Sequence, residues 1–418
     1  MSTKQKMKKL LIVLFILFSI LVVIGIVFSS EIKRLHHVLH LFDEDRIVEN
    51  FRSFDQLMPV SRLQPPSDKF IYPKGEMLNL PSNFVYDGEN ISSDDFLKNS
   101  KTTGLMVIQN DTLIYEKYYL GNRDTTKNIS WSMAKSFLSA LIGIAVEEGH
   151  IKNLDQTVDE FCPILKGSGY EGVTIKNTLQ MSTGIGFNED YADFFSDINR
   201  WGRGFAMGKS QDEFAASLKN ERPQGTYNHY VSINTHVLGM VLTKATGKSV
   251  TQYMQEKFWT PMGMQDDAYF IIDKQKMEGV LGLLNATLRD YAKMGSLYLN
   301  QGRFNGKQIV PSDWVQASVT PDAPHLMPGD HDASTNVYGY GYQWWIPASD
   351  EREFMAQGVY NQNIYVNPTT KTVVVKLSAN DRYTDPNYIP SRSEVALEFF
   401  RSIADKASVE SKIDTTEL

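Results

Sequence analysis

The chain has 418 residues, with 49 Asp and Glu against 42 Lys and Arg and a formal charge of −7 at pH 7, which argues against nucleic acid as a partner because no basic patch stands out. Cys162 is the only cysteine, so an intramolecular disulfide and a thiolate metal cluster are both excluded. The eight histidines show no His-Glu-x-x-His pattern, and His36, His37 and His40 suit an interfacial helix better than a metal site; no metal and no other cofactor is expected.

In chain order, Lys4, Lys6, Lys8 and Lys9 precede an apolar run from Leu10 to Phe28. As a helix this run is long enough to cross a hydrocarbon core of roughly 30 Å. It exceeds the apolar stretch of an ordinary signal peptide, and no convincing small-x-small site follows it. The expectation is an uncleaved, single-pass anchor over residues 10–28. Lysines are denser before it than after it, which puts residues 1–9 in the cytoplasm and the catalytic part on the periplasmic or extracellular face.

Residues 29–75 read as a connecting arm, with a helical rhythm from Ile32 to Leu41 that Pro59, Pro65, Pro66 and Pro73 interrupt. The arm is expected to space a domain over 76–405 from the bilayer. A hairpin is expected at Gly104 to Ile108 and Thr112 to Tyr119, turned by Asn110-Asp111. The stretch Asn128 to Glu148 follows as a central buried helix, with Asn128 and Ser130 as candidate N-caps and Gly149 at its end.

Beyond it, Thr174 to Leu179 reads as a short capped helix, Thr235 to Ala245 as a helix closed by Gly247, and Thr287 to Leu299 as a helix opened by Thr287 with Asp290. Strands are expected at Tyr342 to Ile346, Gln362 to Val366 and Thr372 to Leu377, then a helix from Ser391 to Ile403 and a frayed polar tail over 406–418. Strands from both ends of the domain thus bracket an α-rich insert.

The central helix carries Ser132 and Lys135, and a spacing of three puts both side chains on one face. A serine hydroxyl becomes a good nucleophile only when a neighbour takes its proton. A lysine can do this when desolvation or nearby positive charge lowers its pKa, and a buried helix start supplies both. The spacing alone is weak evidence, since Ser30 and Lys33 repeat it beside the apolar run.

More motifs follow in order: Gln180-Met-Ser-Thr-Gly-Ile185, Tyr230-Val-Ser232-Ile-Asn234, Ala286-Thr-Leu-Arg-Asp-Tyr-Ala-Lys-Met-Gly295, Asn188-Glu-Asp-Tyr191 and Ala356-Gln-Gly358-Val-Tyr-Asn-Gln362. Together with Ser132-Met-Ala-Lys135 they resemble the serine β-lactamase and penicillin-recognising family. Within it they resemble the class C-like branch that includes 6-aminohexanoate-dimer hydrolase and related esterases. The resemblance covers roughly Thr102 to Ile403.

It implies an α+β, β-lactamase/transpeptidase-like fold, an antiparallel sheet flanked by helices with the site between sheet and insert. It also implies that Ser132 is acylated, that Lys135 is its base, and that Tyr230 relays a proton to the leaving group as a phenolate stabilised by lysine charge. Ser232 would support that relay, and the backbone amides of Ser132 and Val359 would bind the oxyanion. Tyr191, Gln357, Gly358 and Asn361 become candidates for substrate contact.

Several features depart from the family pattern. Ala356-Gln357-Gly358 stands where β-lactamases usually carry Lys-Thr-Gly, so the charge that helps bind a substrate carboxylate is missing. The second motif is Tyr-x-Ser rather than Tyr-x-Asn, and Asn361 replaces a frequent glycine. These lower the expectation of β-lactam hydrolysis and leave ester or amide cleavage of a small molecule intact. A penicillin-recognising sensor and a peptidoglycan peptidase remain the alternatives. Trp344-Trp345 reads as core, with one ring buried. His229 and His236 invite a Ser-His-Asp reading, but no Gly-x-Ser-x-Gly elbow exists in the chain.

Overall fold

The computed structural model describes residues 3–416. Its first helix, α1 (Thr3–Val27), is long and apolar enough to cross a membrane by length and composition. The segment expected to stand as a spacer, residues 29–75, packs into the domain instead. Helix α2 (Ser29–Leu39) is tied to it by Glu31 and Lys274 at 3.1 Å. Ile47, Phe51, Phe54, Leu63 and Tyr72 are buried in the main core. Strand β1 (Val60–Leu63) pairs antiparallel with Ala268–Ile271. The prolines stop helix formation but allow extended backbone, and that backbone delivers irregularly spaced apolar side chains that carry no readable period.

The hairpin forms as expected from β2 (Thr102–Gln109) and β3 (Thr112–Tyr118). Asn110 and Asp111 sit at φ 48° and 58°, the left-handed values that a two-residue hairpin turn needs at both positions. Next come β4 (Asn128–Ile129), the central helix α3 (Ala134–Glu147), α4 (Ile175–Leu179), α5 (Asp197–Ala206) and α6 (Ser232–Thr246). Thr174 caps α4 by accepting the Asn177 amide, and Gly247 ends α6 at φ 68°.

Strands β5 (Ala268–Ile271) and β6 (Leu284–Ala286) lead to α7 (Leu288–Leu299), capped by Thr287 accepting the Asp290 amide. The Asp290 carboxylate returns to the cap by accepting the Thr287 hydroxyl at 3.2 Å. It accepts the amides of Gln265 and Asp266 and pairs with the buried Lys293 at 3.0 Å.

Of the strand expected over 342–346 only β8 (Trp345–Ile346) forms, paired antiparallel with β7 (Gly339–Tyr340) just before it. Between them Gln343 takes φ 64°, donates its side-chain amide to Leu179 O at 2.7 Å and accepts the Thr235 hydroxyl at 2.7 Å, so it is locked in the turn of this hairpin rather than in a strand. The chain closes with β9 (Phe354–Gly358), β10 (Gln362–Asn367), β11 (Thr372–Ser378) and α8 (Ser393–Thr416). Helix α8 runs past the expected end at Ile403 because Ala404 and Ala407 continue its buried stripe.

The large sheet runs β7-β8-β9-β10-β11-β2-β3, every neighbour antiparallel, so both ends of the domain meet where β11 pairs with β2. Met106, Ile108, Val373 and Val375 point into the main core shared with α3 and α7, whereas Leu105, Val107, Val374 and Tyr365 join Phe399 and Phe400 of α8. This two-sided burial explains why the central strands read as continuous apolar runs rather than alternating ones. A second sheet, β1-β5-β6-β4, places Asn128 and Ile129 beside β6, immediately before Ser132.

Candidate active site

Ser132 is not on the first turn of a helix that starts at Asn128. Asn128 and Ile129 pair with Ala286 and Asn285, Trp131 turns the chain at φ 43°, and Trp131–Met133 form a 3-10 turn ahead of α3. Neither proposed N-cap side chain caps the helix: Asn128 Nδ2 donates to Thr126 O, and Ser130 Oγ donates to Trp131 O. Gly149, at φ 76°, does close the far end. A positive φ is costly for a bulky residue, and the surroundings hold it in place. The Trp131 ring is packed by Phe42, Phe51 and Tyr360, with centroids 5.8, 5.3 and 5.8 Å away. Two of those three rings, Phe42 and Phe51, come from residues 29–75.

Lys135 Nζ lies 3.0 Å from Ser132 Oγ and donates to the carbonyl of Leu281 at 2.5 Å. The residue is 1% exposed, and this burial brings its ammonium down to about 7, with the Glu189 charge pulling the other way. The Tyr230 ring centroid is 5.3 Å from Lys135 Nζ and stacks on Trp345 at 5.1 Å. Burial drives the Tyr230 phenol well above its ordinary value, and the Ser132 hydroxyl offsets this only in part. The expected phenolate beside a charged lysine is therefore reversed: burial favours a neutral amine and a neutral phenol.

Ser232 supports a different partner from the one expected. Its hydroxyl donates to Glu189 Oε1 at 2.5 Å and its amide to Oε2 at 3.0 Å, while Tyr191 donates to Oε1 at 2.7 Å. Glu189 thus gathers two candidate residues around one carboxylate. The motif Asn188-Glu-Asp-Tyr191 carries the signal in its glutamate as well as in its tyrosine.

Gly358 ends β9 against the Ser132 turn; a Cβ there would lie 2.5 Å from Ser130 O and 3.1 Å from Ser132 N. This close approach brings the next residue, Val359, with Ser132 onto the wall of one cavity. Gln357 is half-buried, and its Nε2 is buried without a partner. Asn361 is not placed for substrate contact. It takes φ 66° in the β9–β10 turn, donates to Ser391 O at 3.1 Å and accepts from Asn380 at 2.8 Å, so its amide is spent holding the turn.

Trp344 is fully buried as expected, but Trp345 is half-buried against Tyr230, which makes it part of the site rather than core alone. His229 bonds to Phe187 O at 3.0 Å and His236 to Asp212 at 2.8 Å. Neither is a partner of Ser132.

The cavity in front of Ser132 has a volume of about 290 Å³ and is walled by residues 38–58, α5, Tyr191 and residues 271–283. The family pattern described as Beta-lactamase matches residues 95–393. The chain is 27% identical over 299 residues to the 6-aminohexanoate-dimer hydrolase of Paenarthrobacter ureafaciens, spanning 70% of this chain and 75% of that one.

Among solved structures it is similar to a Bacillus anthracis protein provisionally described as a 6-aminohexanoate-dimer hydrolase, with TM-score 0.76, 24% identity, and 89% and 96% of the two chains covered. It also shares its fold with EstCE1, a hydrolase with promiscuous acyltransferase activity, at TM-score 0.59, 14% identity, and 76% and 96% coverage. With its motifs in order and the family pattern spanning most of its length, the chain belongs to the beta-lactamase family and is a serine hydrolase.

Proposed function

We propose that this protein cleaves a small ester or amide through an acyl-Ser132 intermediate. The observation that carries the reading is the 3.0 Å approach of Ser132 Oγ to a lysine amine that burial brings to about 7. A neutral Lys135 takes the Oγ proton as Ser132 attacks the carbonyl. The amides of Ser132 and Val359 receive the oxyanion. Tyr230 gives its phenolic proton to the departing alcohol or amine and is reprotonated from Lys135. Water then enters, gives up a proton by the reverse route and releases the acid, leaving the enzyme unchanged.

Glu189 holds Ser232 and Tyr191 at the edge of this site. Gln357 supplies no positive charge for a β-lactam carboxylate, which supports ester or amide turnover over β-lactam turnover. The 6-aminohexanoate-dimer hydrolase relative supports a linear amide among the substrates. The lysines before the apolar run support α1 as an anchor with its N-terminus cytoplasmic and the catalytic domain outside.

The test is incubation of the full chain with p-nitrophenyl acetate, p-nitrophenyl butyrate, nitrocefin and a fluorophosphonate, beside Ser132→Ala and Tyr230→Phe, with intact-mass spectra locating the adduct. Labelling confined to proteins that keep Ser132, with ester turnover far above nitrocefin turnover, supports the reading. No adduct on Ser132 refutes it.

A further inference from the structure

We infer that the cavity in front of Ser132 is an acyl-chain site, and that the substrate is an amphiphilic ester or amide whose acyl part is a medium-length aliphatic chain presented at the bilayer surface. This rests on the acyl-Ser132 reading and names the substrate class of the same site.

The walls are apolar from three separate parts of the chain: Leu39 and Phe42 of the N-terminal segment packed into the domain, Ile198 and Phe205 on α5, and Ile271 and Leu283 beside β5 and β6. Most of the polar side chains on them are committed elsewhere, the indole N–H groups of Trp131 and Trp201 alone being buried without a partner. Tyr191 and Ser232 bond to Glu189. Asn199 donates to the carbonyls of Tyr191 and Asp193. Arg203, the one charged lining residue, donates to Phe194 O and covers the Phe194 ring at 3.8 Å. Such a wall rewards methylene groups and offers a polar chain little beyond those two indole donors.

The volume of about 290 Å³ matches roughly ten waters, room for a chain rather than for an acetyl group. Tyr230, whose proton goes to the leaving group, is absent from the lining, whereas the oxyanion residue Val359 is on it. The space therefore lies on the side of the scissile bond that stays attached to Ser132.

The mouth points to the source of the chain. Leu39 and Phe194 line the cavity and are also 50% and 52% exposed, and Phe195 beside them is 82% exposed. Leu39 ends α2, which begins two residues after α1 and packs against α5. An apolar rim on the element that follows the membrane-length helix is placed to take an acyl chain from lipid.

The test uses the full chain in phosphatidylcholine nanodiscs with p-nitrophenyl esters from acetate to dodecanoate, beside Gly202→Leu. Gly202 lies on the cavity-lining face of α5, and a Cβ there meets nothing within 4 Å, so leucine enters open space while favouring the helix. In the wild type, kcat/KM should rise roughly fourfold per added methylene until the cavity is full. Gly202→Leu should cut the decanoate-to-acetate ratio by about tenfold or more, the loss expected when two methylenes no longer fit.

Partitioning of long esters into lipid is common to both proteins and cancels in that comparison. A profile that peaks at acetate or butyrate, or a ratio that Gly202→Leu does not change, overturns the acyl site. So does an equal gain when the alkyl chain is moved to the alcohol of an acetate ester. Fluorophosphonate labelling of Ser132 in the same samples separates the two failures. A labelled enzyme with the wrong chain preference refutes only this inference, and an unlabelled one refutes the acyl-Ser132 reading beneath it.

Discussion

The carboxylate of Glu189 accepts both the hydroxyl of Ser232, at 2.5 Å, and its amide, at 3.0 Å, although the two residues are 43 positions apart. The same carboxylate is the charge that opposes the burial of Lys135. It therefore joins the geometry of the site to its pH dependence.

The acid limb of kcat/KM should lie near the Lys135 value of about 7, because activity needs the neutral amine and rises as pH climbs through that value. No alkaline fall from Tyr230 is expected up to pH 10, since burial keeps its phenol protonated well beyond its ordinary range. Glu189→Gln removes the one influence that raises Lys135, so the acid limb should move to lower pH. Loss of the charged acceptor for Ser232 and Tyr191 should also cut the plateau rate by about tenfold. A pH–rate profile measures both, and an unmoved limb counts against the electrostatic role.

Gly358→Ala should lower kcat by about 10²–10³ while the fold persists, because the new Cβ meets Ser130 O at 2.5 Å and displaces β9 from the Ser132 turn. Stopped-flow labelling by fluorophosphonate should slow in step, with the circular dichroism spectrum unchanged. Normal labelling would mean that β9 contributes nothing to the oxyanion site.

Removing residues 1–28 should leave ester hydrolysis in place, whereas starting the chain at Lys74 should abolish folding. The longer deletion takes away Ile47, Phe51, Phe54 and Leu63, each 3% exposed or less, and the pairing of β1 with β5. At about 1.5–3 kcal/mol for each buried side chain the loss rivals the whole stability of a domain. Soluble yield and thermal melting compare the two truncations directly.

Lys376 is fully buried, donates to Ser378 Oγ at 2.6 Å, and is brought down to about 7 by burial alone. Between that value and the ordinary 10.5 the unfolded chain holds one more proton at this residue than the folded one. Its destabilisation is thus full below about pH 7 and fades as pH rises. Lys376→Met should stabilise the protein by on the order of a few kcal/mol at pH 7, and the difference should shrink by about 1.4 kcal/mol per pH unit toward pH 10. Urea unfolding at three pH values checks the slope, and a pH-independent difference would refute the assignment.

The sequence by itself determined what depends on neighbours along the chain. Asn110-Asp111 between β-branched runs specifies the β2–β3 turn, Thr174 and Gly247 mark helix ends, and Ser132-x-x-Lys135 and Tyr230-x-Ser232 are short motifs whose spacing carries their meaning. The tertiary structure decided what depends on residues far apart.

Phe42 and Phe51 pack a strained Trp131 from a segment whose prolines resemble a linker. Glu189 reaches Ser232, and Trp345 leaves the core to stack on Tyr230. Most of all, the Lys135 amine comes down to about 7 only because the packed chain around it excludes water. Desolvation belongs to the packed assembly, so no spacing within the chain can state it.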